Sequence, residues 1–511
     1  MKKSIGFFFC FLLIPFLLNA QNSLLIKTDE GRDIINKNIY GHFAEHLGRC
    51  IYGGIWVGKD SQIPNTRGLR NDVLEALKEM SVPVIRWPGG CFADTYHWKD
   101  GIGPAEKRPK FVNTNWGGVV EDNSFGTHEF LDFCELIGAE PYININVGSG
   151  TVQEAREWVE YINSDNESPM ANLRRQNGRE KPWNVKYWGI GNETWGCGGH
   201  MSPEFNVDIF KKFATFCPGK FKILSGGTSD DLNWTEVSMK NILTGRGAHL
   251  MQGYSYHYYT ICHDWSKKGS AVNFDESEWF STMKKTWWVD ENLKQHTDIM
   301  DKYDPEKKVA LLADEYGNWF DVEPGENPSF LYQQNTLRDA VTAALYLNIF
   351  NNHCDRVRMA NIAQTVNVLQ AVLLTKDNEI VKTPTYYVFK MFKPHQDAVM
   401  LPFDLTSADY TSGTEKIKAL SVSASKDKTG KIHISIANLD PVNQQEISCT
   451  IQGADIKKVS GEIITAEKMN ALNDFGKGEE VNIKTFEDVT LKNGKLTAKL
   501  PAKSVVMLMI E

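Results

Sequence analysis

The segment VKYWGIGNETWG, residues 185–196, is a short apolar run that ends in Asn192 and Glu193 between tryptophans. A second segment, VALLADEYGNW at 309–319, delivers Glu315 in the same way. Such side chains are out of place in an apolar core, but the catalytic groups of a (β/α)8 barrel lie at the C-terminal ends of its strands. The two segments therefore favour a barrel that carries both carboxylates on one rim.

The remaining sequence between residues 39 and 385 alternates short β-runs with amphipathic helical stretches. The runs lie at 39–43, 84–87, 142–147, 185–190, 221–225, 253–257, 309–313 and 357–362. Eight strands alternating with helices predict a closed (β/α)8 TIM barrel in preference to an open, doubly wound sheet. Polar residues also end other runs, among them Glu45, Arg86 and His257.

After about residue 390, helical periodicity gives way to the alternating pattern of β-strands. Ile432, Ile434 and Ile436 alternate with polar residues, and Asn493-Gly494 is a strong hairpin signal. We therefore predict a catalytic barrel over residues 39–388 and a C-terminal, jelly-roll-like β-sandwich over residues 389–511. Residues 21–38 hold one early strand, which we expect to pack with the β domain.

The first twenty residues have the pattern of a secretory signal peptide. Lys2 and Lys3 precede an apolar run of 14 residues at 5–18, and Ala20 marks a cleavage site. A membrane anchor is the alternative, but a spanning helix needs about 20 residues. The pattern predicts a secreted or periplasmic protein with no membrane span after signal removal.

Composition narrows the classes of partner. The 511 residues are 41% hydrophobic and 23% charged, with a formal net charge of −8 and no block of Lys and Arg, so nucleic acid is not an expected partner. The nine cysteines are scattered without a CxxC pair, and we expect most of them to be small buried residues. No metal and no cofactor are expected, because paired-ligand spacings such as HExxH are lacking.

The chemistry that best suits the two segments is acetal hydrolysis. One carboxyl group protonates the leaving oxygen, a second attacks or stabilises the anomeric carbon, and aromatic walls exclude water and pack on sugar rings. For a single glutamate, a structural salt bridge is the alternative, but two strand ends with the same pattern favour catalysis.

Three other classes of function are the alternatives to a glycoside hydrolase. A metal enzyme could use Glu45-His46 or Cys197 with His200, and a cysteine nucleophile could be Cys91 or Cys197 activated by His257. A carbohydrate-binding module without catalysis predicts the loss of one carboxylate, and neither Glu193 nor Glu315 is missing.

Several further motifs carry a specific family resemblance across nearly all of the chain after residue 20. They are GHFAEHLGR at 41–49, RWPGGCFAD at 86–94, HWKDGIGP at 97–104, YHYY at 256–259, NIAQ at 361–364 and TPTYY at 383–387. Together with the two glutamate segments, the chain resembles the α-L-arabinofuranosidases of glycoside hydrolase family 51. The resemblance implies a retaining, exo-acting enzyme that releases terminal non-reducing α-L-arabinofuranosyl groups from arabinan, arabinoxylan or their oligosaccharides. It also implies a homo-oligomer such as a hexamer.

The resemblance assigns roles to individual residues. Glu193 is expected to be the general acid/base and Glu315 the nucleophile, with carboxyl groups roughly 5 Å apart. The residues expected to bind the sugar are Glu45, Cys91, Asn192, His257, Tyr259 and Gln364, and those expected to support the site are Arg86, Trp98 and Trp195.

Some of these roles have alternatives. Glu45 could instead form an ion pair with Arg49 or Arg86, and Arg86 could be purely structural. Trp98 and Trp195 could be core residues. Cys91 stands where some members of the family carry Asn, and we expect it to touch the sugar through its backbone or a weak thiol contact. An endo-acting β-glucanase or xylanase on the same barrel is the alternative function.

Overall fold

A closed barrel of eight parallel strands forms the larger part of the protein, seen in a computed structural model that describes residues 22–492 and 494–511. The strands are β1 (Gly41–Phe43), β2 (Val84–Trp87), β3 (Glu140–Ile145), β4 (Tyr187–Ile190), β5 (Phe221–Leu224), β6 (Gly253–Thr260), β7 (Ala310–Asn318) and β8 (Val357–Ala363). Each strand pairs with its neighbours in chain order, and β8 closes on β1. The predicted TIM barrel is confirmed. The predicted signal peptide, residues 1–20, lies outside the described residues.

Strands β6 and β7 extend beyond the predicted ends. Past the barrel rim they stay paired with each other, Tyr259 opposite Gly317 and Thr260 opposite Asn318. Glu315 is therefore inside a strand, where the sequence predicted it just after one.

Nine α-helices lie in the described part of the chain. They are α1 (Asn71–Met80), α2 (Thr127–Ile137), α3 (Val152–Asn163), α4 (Pro169–Gln176), α5 (Pro203–Phe216), α6 (Leu232–Leu243), α7 (Glu276–Tyr303), α8 (Leu337–Asn352) and α9 (Pro384–Phe392). Side-chain caps start several of them; Thr151 Oγ1, for example, accepts the N–H of Glu154 at 3.1 Å before α3. None of the helices described is both long and apolar enough to cross a membrane.

Two mainly antiparallel sheets pack together as a β-sandwich, built largely from the C-terminal part of the chain. The five-stranded sheet has the order Phe403–Thr406, Asn22–Lys27, Gln445–Gln452, Lys495–Leu500 and Val489–Lys492. The six-stranded sheet has the order Val399–Met400, Leu420–Lys426, Ile432–Asn438, Ser504–Ile510, Val459–Ile464 and Lys484–Thr485. Leu24, Ile434, Cys449 and Leu508 are among the side chains that fill the space between them. The early strand at residues 22–27 thus pairs within the C-terminal sandwich.

Helix α8 joins the barrel to the sandwich. Asn348 is fully buried between them, donating to Ser421 Oγ at 3.2 Å and accepting from Ser435 Oγ at 2.6 Å. Asn352 donates to the carbonyl of Val422 at 2.9 Å. These bonds satisfy amides that would be costly to bury alone, so α8 fixes the sandwich against the outer face of the barrel.

Candidate active site

The first candidate carboxylate, Glu193, lies just beyond β4 in a turn with a left-handed backbone. Gly191 has φ 84° and Glu193 has φ 40°, a region open to glycine but uncommon for glutamate. Thr194 holds the turn, since its N–H donates to Ser225 Oγ at 3.3 Å and its hydroxyl to Asn206 Oδ1 at 2.9 Å. Such a conformation persists only where the surroundings enforce it, and it is typical of functional sites.

The second candidate carboxylate, Glu315, owes its direction to an irregularity in β7. Ser255 pairs with Leu312, but His257 pairs with Glu315, so β7 holds one residue more than β6 over this stretch. A bulge of this kind re-aims the side chains beside it. As a result, Asp314 is fully buried below the rim while Glu315 faces the barrel mouth.

Arg86, at the C-terminal end of β2, connects these groups. Its Nη1 donates to Glu315 Oε1 and its Nη2 to Asn192 Oδ1, both at 2.6 Å, and its Nε lies 3.6 Å from Asp314 Oδ2. Burial disfavours its charge, but the carboxylates of Asp314 and Glu315 raise the pKa of Arg86 above its usual range. The guanidinium thus orients both the candidate nucleophile and the predicted sugar-binding amide.

His257 stands between the carboxylates. Its Nδ1 lies 3.0 Å from Glu193 Oε1 and 3.6 Å from Glu315 Oε2, and its Nε2 lies 3.3 Å from Asp314 Oδ1. Burial alone would lower the pKa of His257, but Glu315, Asp314 and Glu193 raise it to about 10. Burial likewise opposes the charge of Asp314, yet Arg86 and His257 hold its pKa down at about 2.

The two candidate carboxyl groups are close. One oxygen of Glu193, one oxygen of Glu315 and one ring nitrogen of His257 all lie within 4.8 Å of one another. Retaining glycosidases have carboxyl groups about 5–5.5 Å apart, and inverting enzymes about 6.5–9.5 Å. The spacing is therefore that of a retaining pair, in which one carboxylate attacks the sugar directly. Tyr259 Oη also donates to Glu315 Oε2, at 2.9 Å.

Glu45 lies deeper, just after β1. Its Oε1 accepts the N–H of Phe92 at 3.1 Å and Nε1 of Trp116 at 3.0 Å, and its Oε2 accepts Nε2 of Gln364 at 3.1 Å. Burial and then the charge of Glu315 raise the pKa of Glu45 to about 7. The carboxyl group thus shares the pocket with Gln364.

Glycine in the loop after β2 makes this position possible. A Cβ at Gly90 would lie 2.8 Å from Glu45 Oε1, so a larger residue would displace the carboxyl group. The alternative that Glu45 pairs with Arg49 or Arg86 is wrong, because Arg49 pairs with Glu326 at 3.9 Å and Arg86 with Asp314 and Glu315.

The barrel mouth opens into a cavity of about 830 Å³. The predicted residues that line it are Glu45, Cys91, Asn192, Glu193, Trp195, His257, Tyr259, Glu315 and Gln364. Trp98 lies elsewhere: it is fully buried, its ring is parallel to that of Trp158 with centroids 6.1 Å apart, and its Nε1 donates to the carbonyl of Glu154 at 3.0 Å. Trp98 is therefore a core residue, which was the alternative for it, and it does not line the cavity.

Several lining residues were missed from the sequence. Trp116, Trp265, Trp288 and Trp319 all border the cavity, and Trp265 is 64% exposed. Trp319 is four residues after Glu315, in the segment 309–319, so its place at the cavity could have been predicted from the sequence. Trp116 and Trp265 lie in loops without strand or helix periodicity, and Trp288 borders the cavity from α7. The sequence has no signal that points these three residues to the cavity.

Asp94 was not predicted to be a site residue, but it holds together the loops that form the site. Its Oδ1 accepts the N–H groups of Val147 and Gly148, both at 2.9 Å, and its Oδ2 accepts the N–H of Asn192 at 3.3 Å. Burial raises the pKa of Asp94 to about 7, against these bonds. The residue ties the loop after β2 to the loops after β3 and β4.

Cys91 lies at the cavity, but its sulfur is bonded to Cys197, with 5.5 Å between the Cα atoms. The predicted thiol contact with substrate is wrong for this state, while a backbone contact stays a prediction. The bond also removes both residues as thiolate nucleophiles. The other six cysteines of the described chain are free and buried, as expected.

Three groups of ligand-type side chains lie close together in the residues described. They are Cys91, Glu193 and Cys197; Cys262, His263 and Glu278; and Glu193, His257 and Glu315. In the first group, the two sulfurs are bonded to each other and are not thiolates. In the third, hydrogen bonds from His257, Tyr259 and Arg86 already occupy the carboxylates.

Comparison with known proteins gives a consistent result. The family model of the α-L-arabinofuranosidase 1 domain matches residues 76–272, and that of the α-L-arabinofuranosidase C-terminal domain matches residues 314–504. The chain is 53% identical to an intracellular exo-α-L-arabinofuranosidase of Bacteroides ovatus, over 98% of each chain. It is 35% identical to a probable α-L-arabinofuranosidase C of Aspergillus niger, over 90% of this chain and 93% of that one.

Solved structures agree. The GH51 arabinofuranosidase from Xanthomonas axonopodis pv. citri superposes with a TM-score of 0.94 at 46% identity, covering 96% of this chain and 100% of that one. The α-L-arabinofuranosidase from Thermotoga maritima, solved with arabinose, has a TM-score of 0.84 at 30% identity with the same coverage. A bifunctional glucanase-xylanase matches at 13% identity and TM-score 0.60, a likeness of fold alone.

One prediction needs correction. The Bacteroides ovatus relative, matched over 98% of this chain, is named intracellular. The prediction of a secreted or periplasmic location is wrong on this finding.

Proposed function

The chain belongs to the α-L-arabinofuranosidases of glycoside hydrolase family 51, and we propose that Glu315 is its nucleophile and Glu193 its general acid/base. The enzyme is an exo-acting, retaining glycoside hydrolase. The observation that carries the residue assignment is the pair of carboxylates within 4.8 Å of each other, Glu193 just beyond β4 and Glu315 within β7. An endo-acting β-glucanase or xylanase is not favoured, since enzymes of that kind resemble the chain only in fold.

The proposed reaction has two displacements. Glu315 attacks the anomeric carbon of the arabinofuranosyl group while Glu193 protonates the departing oxygen. Glu193 then removes a proton from water, which attacks the glycosyl-enzyme from the face that the leaving group vacated. The ester bond to Glu315 breaks, and arabinose leaves with its configuration retained.

The polar groups deeper in the cavity are proposed to hold one furanose. Glu45 would accept hydrogen bonds from ring hydroxyls, with Gln364 closing the site. Asn192, oriented by Arg86, would hold the 2-hydroxyl, a contact that strengthens as positive charge develops on the sugar. The small number of convergent polar groups supports a site for a single terminal residue.

The outer cavity is proposed to bind the leaving group. Trp195, Trp265 and Trp288 line the cavity and are at least partly exposed to solvent, and flat rings of this kind pack on sugar faces. We propose that the substrates are arabinan, arabinoxylan or their oligosaccharides. We also propose a homo-oligomer such as a hexamer, for which light scattering should give a multiple of the chain mass of 57.8 kDa.

Azide rescue tests the two catalytic roles. With a nitrophenyl arabinofuranoside, Glu193→Ala still forms the glycosyl-enzyme, because the leaving group needs little protonation; azide then attacks it and gives the α-configured arabinosyl azide. Glu315→Ala leaves space for azide to attack the substrate itself, which gives the β-configured product. The opposite pairing of variant and product would reverse the assignment. A panel of nitrophenyl α-L-arabinofuranoside, β-xyloside and β-glucoside tests the specificity, and activity on the glucoside alone would refute it.

A further inference from the structure

The loop that carries the acid/base is fastened at two points to the loop after β2, two strands away around the barrel. The disulfide joins Cys91, in the loop after β2, to Cys197, in the loop after β4, across 106 residues of chain. Three residues beyond Cys91, the buried carboxylate of Asp94 accepts the N–H of Asn192 at 3.3 Å. Both links meet the same short turn, the one that presents Glu193.

The disulfide also touches the functional groups themselves. Cys197 Sγ lies 3.7 Å from Glu193 Oε2 and 3.8 Å from Asn192 Nδ2. The other oxygen of Glu193 faces His257 Nδ1 at 3.0 Å. The carboxyl group is therefore confined between an imidazole on one side and a sulfur without a proton on the other.

The backbone around Cys197 is tightly turned. The carbonyl of Glu193 accepts the N–H groups of Gly196 at 2.7 Å and Gly198 at 3.1 Å, on either side of the cysteine. Glu193 has φ 40°, a backbone conformation that glutamate disfavours. Contacts with the surrounding residues must therefore hold it in place. The disulfide is the covalent one among these restraints.

We propose that the Cys91–Cys197 disulfide is a positioning element for the acid/base, and that its reduction selectively weakens the steps that Glu193 performs. The inference rests on the proposed role of Glu193. Reduction would release the turn, and it would also place a Cys197 thiol, a weak donor, beside Glu193 Oε2, which in the disulfide form has no such donor.

The reduction is chemically accessible. Cys197 is exposed and Cys91 is partly exposed at the cavity. A thiolate of a dithiol such as dithiothreitol attacks Cys197 Sγ, the S–S bond breaks, and Cys91 leaves as a thiolate that takes up a proton. The second thiol of the reagent then attacks the mixed disulfide, which frees the Cys197 thiol and yields the cyclic disulfide; two electrons pass from reagent to protein.

The test compares leaving groups, because only poor leaving groups need the acid. The full chain is assayed before and after dithiothreitol on nitrophenyl arabinofuranoside and on methyl α-L-arabinofuranoside. Mass spectrometry after alkylation confirms that Cys91 and Cys197 are the cysteines modified. General acid catalysis contributes about 10²–10⁴-fold, and we expect a misplaced acid to lose about tenfold in kcat/KM on the methyl glycoside, with a change of less than about threefold on the nitrophenyl substrate. The limb of the pH profile assigned to Glu193 should move as well.

A variant pair serves as the control. Cys91→Ser with Cys197→Ser should behave as the reduced enzyme does, and dithiothreitol should leave it unchanged, which excludes effects through the six buried cysteines. Two results would show that the disulfide has no positioning role. In the first, reduction or the double variant leaves the ratio of kcat/KM on the methyl and nitrophenyl substrates unchanged. In the second, both kcat/KM values fall equally, together with the Tm. The azide products of Glu193→Ala in the oxidised enzyme test the proposed function separately, so a failure of either can be recognised.

Discussion

Replacing the buried Glu45 by glutamine should make the protein more stable at pH 8 and much less active. The pKa of Glu45 is raised to about 7 from an ordinary 4.5, first by burial and then by Glu315. A carboxyl group whose folded-state pKa is raised resists ionisation, so its cost to stability is absent below pH 4.5, grows between pH 4.5 and 7, and is complete above pH 7. At 1.36 kcal/mol per pKa unit, the cost amounts to about 3 kcal/mol.

The structure suggests that the substitution fits without a steric penalty. Phe92 and Trp116 both donate to Oε1 and can do the same to an amide oxygen. Gln364 donates to Oε2, but its own Oε1 is buried without a partner. Turning over the Gln364 amide would let that oxygen accept from the new amide nitrogen, so the interactions survive while the charge disappears.

Urea unfolding from pH 5 to pH 8 measures the effect. The free energy of unfolding of Glu45→Gln should gain about 2–3 kcal/mol on that of the wild type across this range, because a small part of the cost is already present at pH 5. Its kcat/KM should fall by about 10- to 100-fold, since hydrogen bonds to charged groups contribute roughly 1.5–3 kcal/mol. Glu79→Gln is the matched control: lysine and tyrosine partners hold the pKa of Glu79 at about 2, so its stability difference from the wild type should be flat from pH 5 to 8. Parallel curves for the wild type and Glu45→Gln would refute the reasoning.

Three further outcomes follow from the same geometry. Arg86→Met should destabilise the fold by about 3–5 kcal/mol in urea unfolding, because it removes the guanidinium from the buried Asp314 and Glu315 and leaves His257 as their remaining cation; an unchanged midpoint would contradict this. Trp265→Ala should raise KM for arabino-oligosaccharides about 5- to 10-fold and leave kcat on nitrophenyl arabinofuranoside within about twofold, and equal effects on both substrates would exclude a leaving-group site. The pKa of His257 is raised to about 10, so its stabilising charge is fully present below pH 6.5 and lost as pH rises through 10; His257→Gln should lack this alkaline loss in melts from pH 8 to 10.5.

The parts of the site that the sequence predicted share one property, which is position relative to a strand. Glu193, Glu315, Arg86 and His257 each interrupt or end an apolar run, and the closed barrel brings these ends to one rim. The number of residues between them in the sequence does not matter for this prediction once the order of the strands is known. The same logic extends to the fold, since eight runs that alternate with helices leave few arrangements.

What the sequence could not predict depends on loops. Trp116 reaches Glu45 from an insertion between β2 and α2, and Cys91 meets Cys197 across 106 residues. No spacing rule pairs two cysteines among nine, because connectivity is set by which loops face each other. For the related reason that proximity in sequence to a rim motif does not fix the direction of a side chain, the sequence could not decide between the site and the core for Trp98.

The hydrogen-bond donors around the two glutamates support the different jobs proposed for them. Glu315 receives a donor on each oxygen, Arg86 on Oε1 and Tyr259 on Oε2, and the two bonds hold the carboxyl group in one direction at the cavity. Glu193 meets His257 through Oε1, whereas its Oε2 faces the disulfide sulfur of Cys197, which has no proton to give. An oxygen without a donor can carry the proton that the leaving group needs. The proposed role of the disulfide therefore has a second part besides holding the turn. A free thiol at Cys197 would donate a hydrogen bond to Glu193 Oε2 and so compete with the proton for that oxygen.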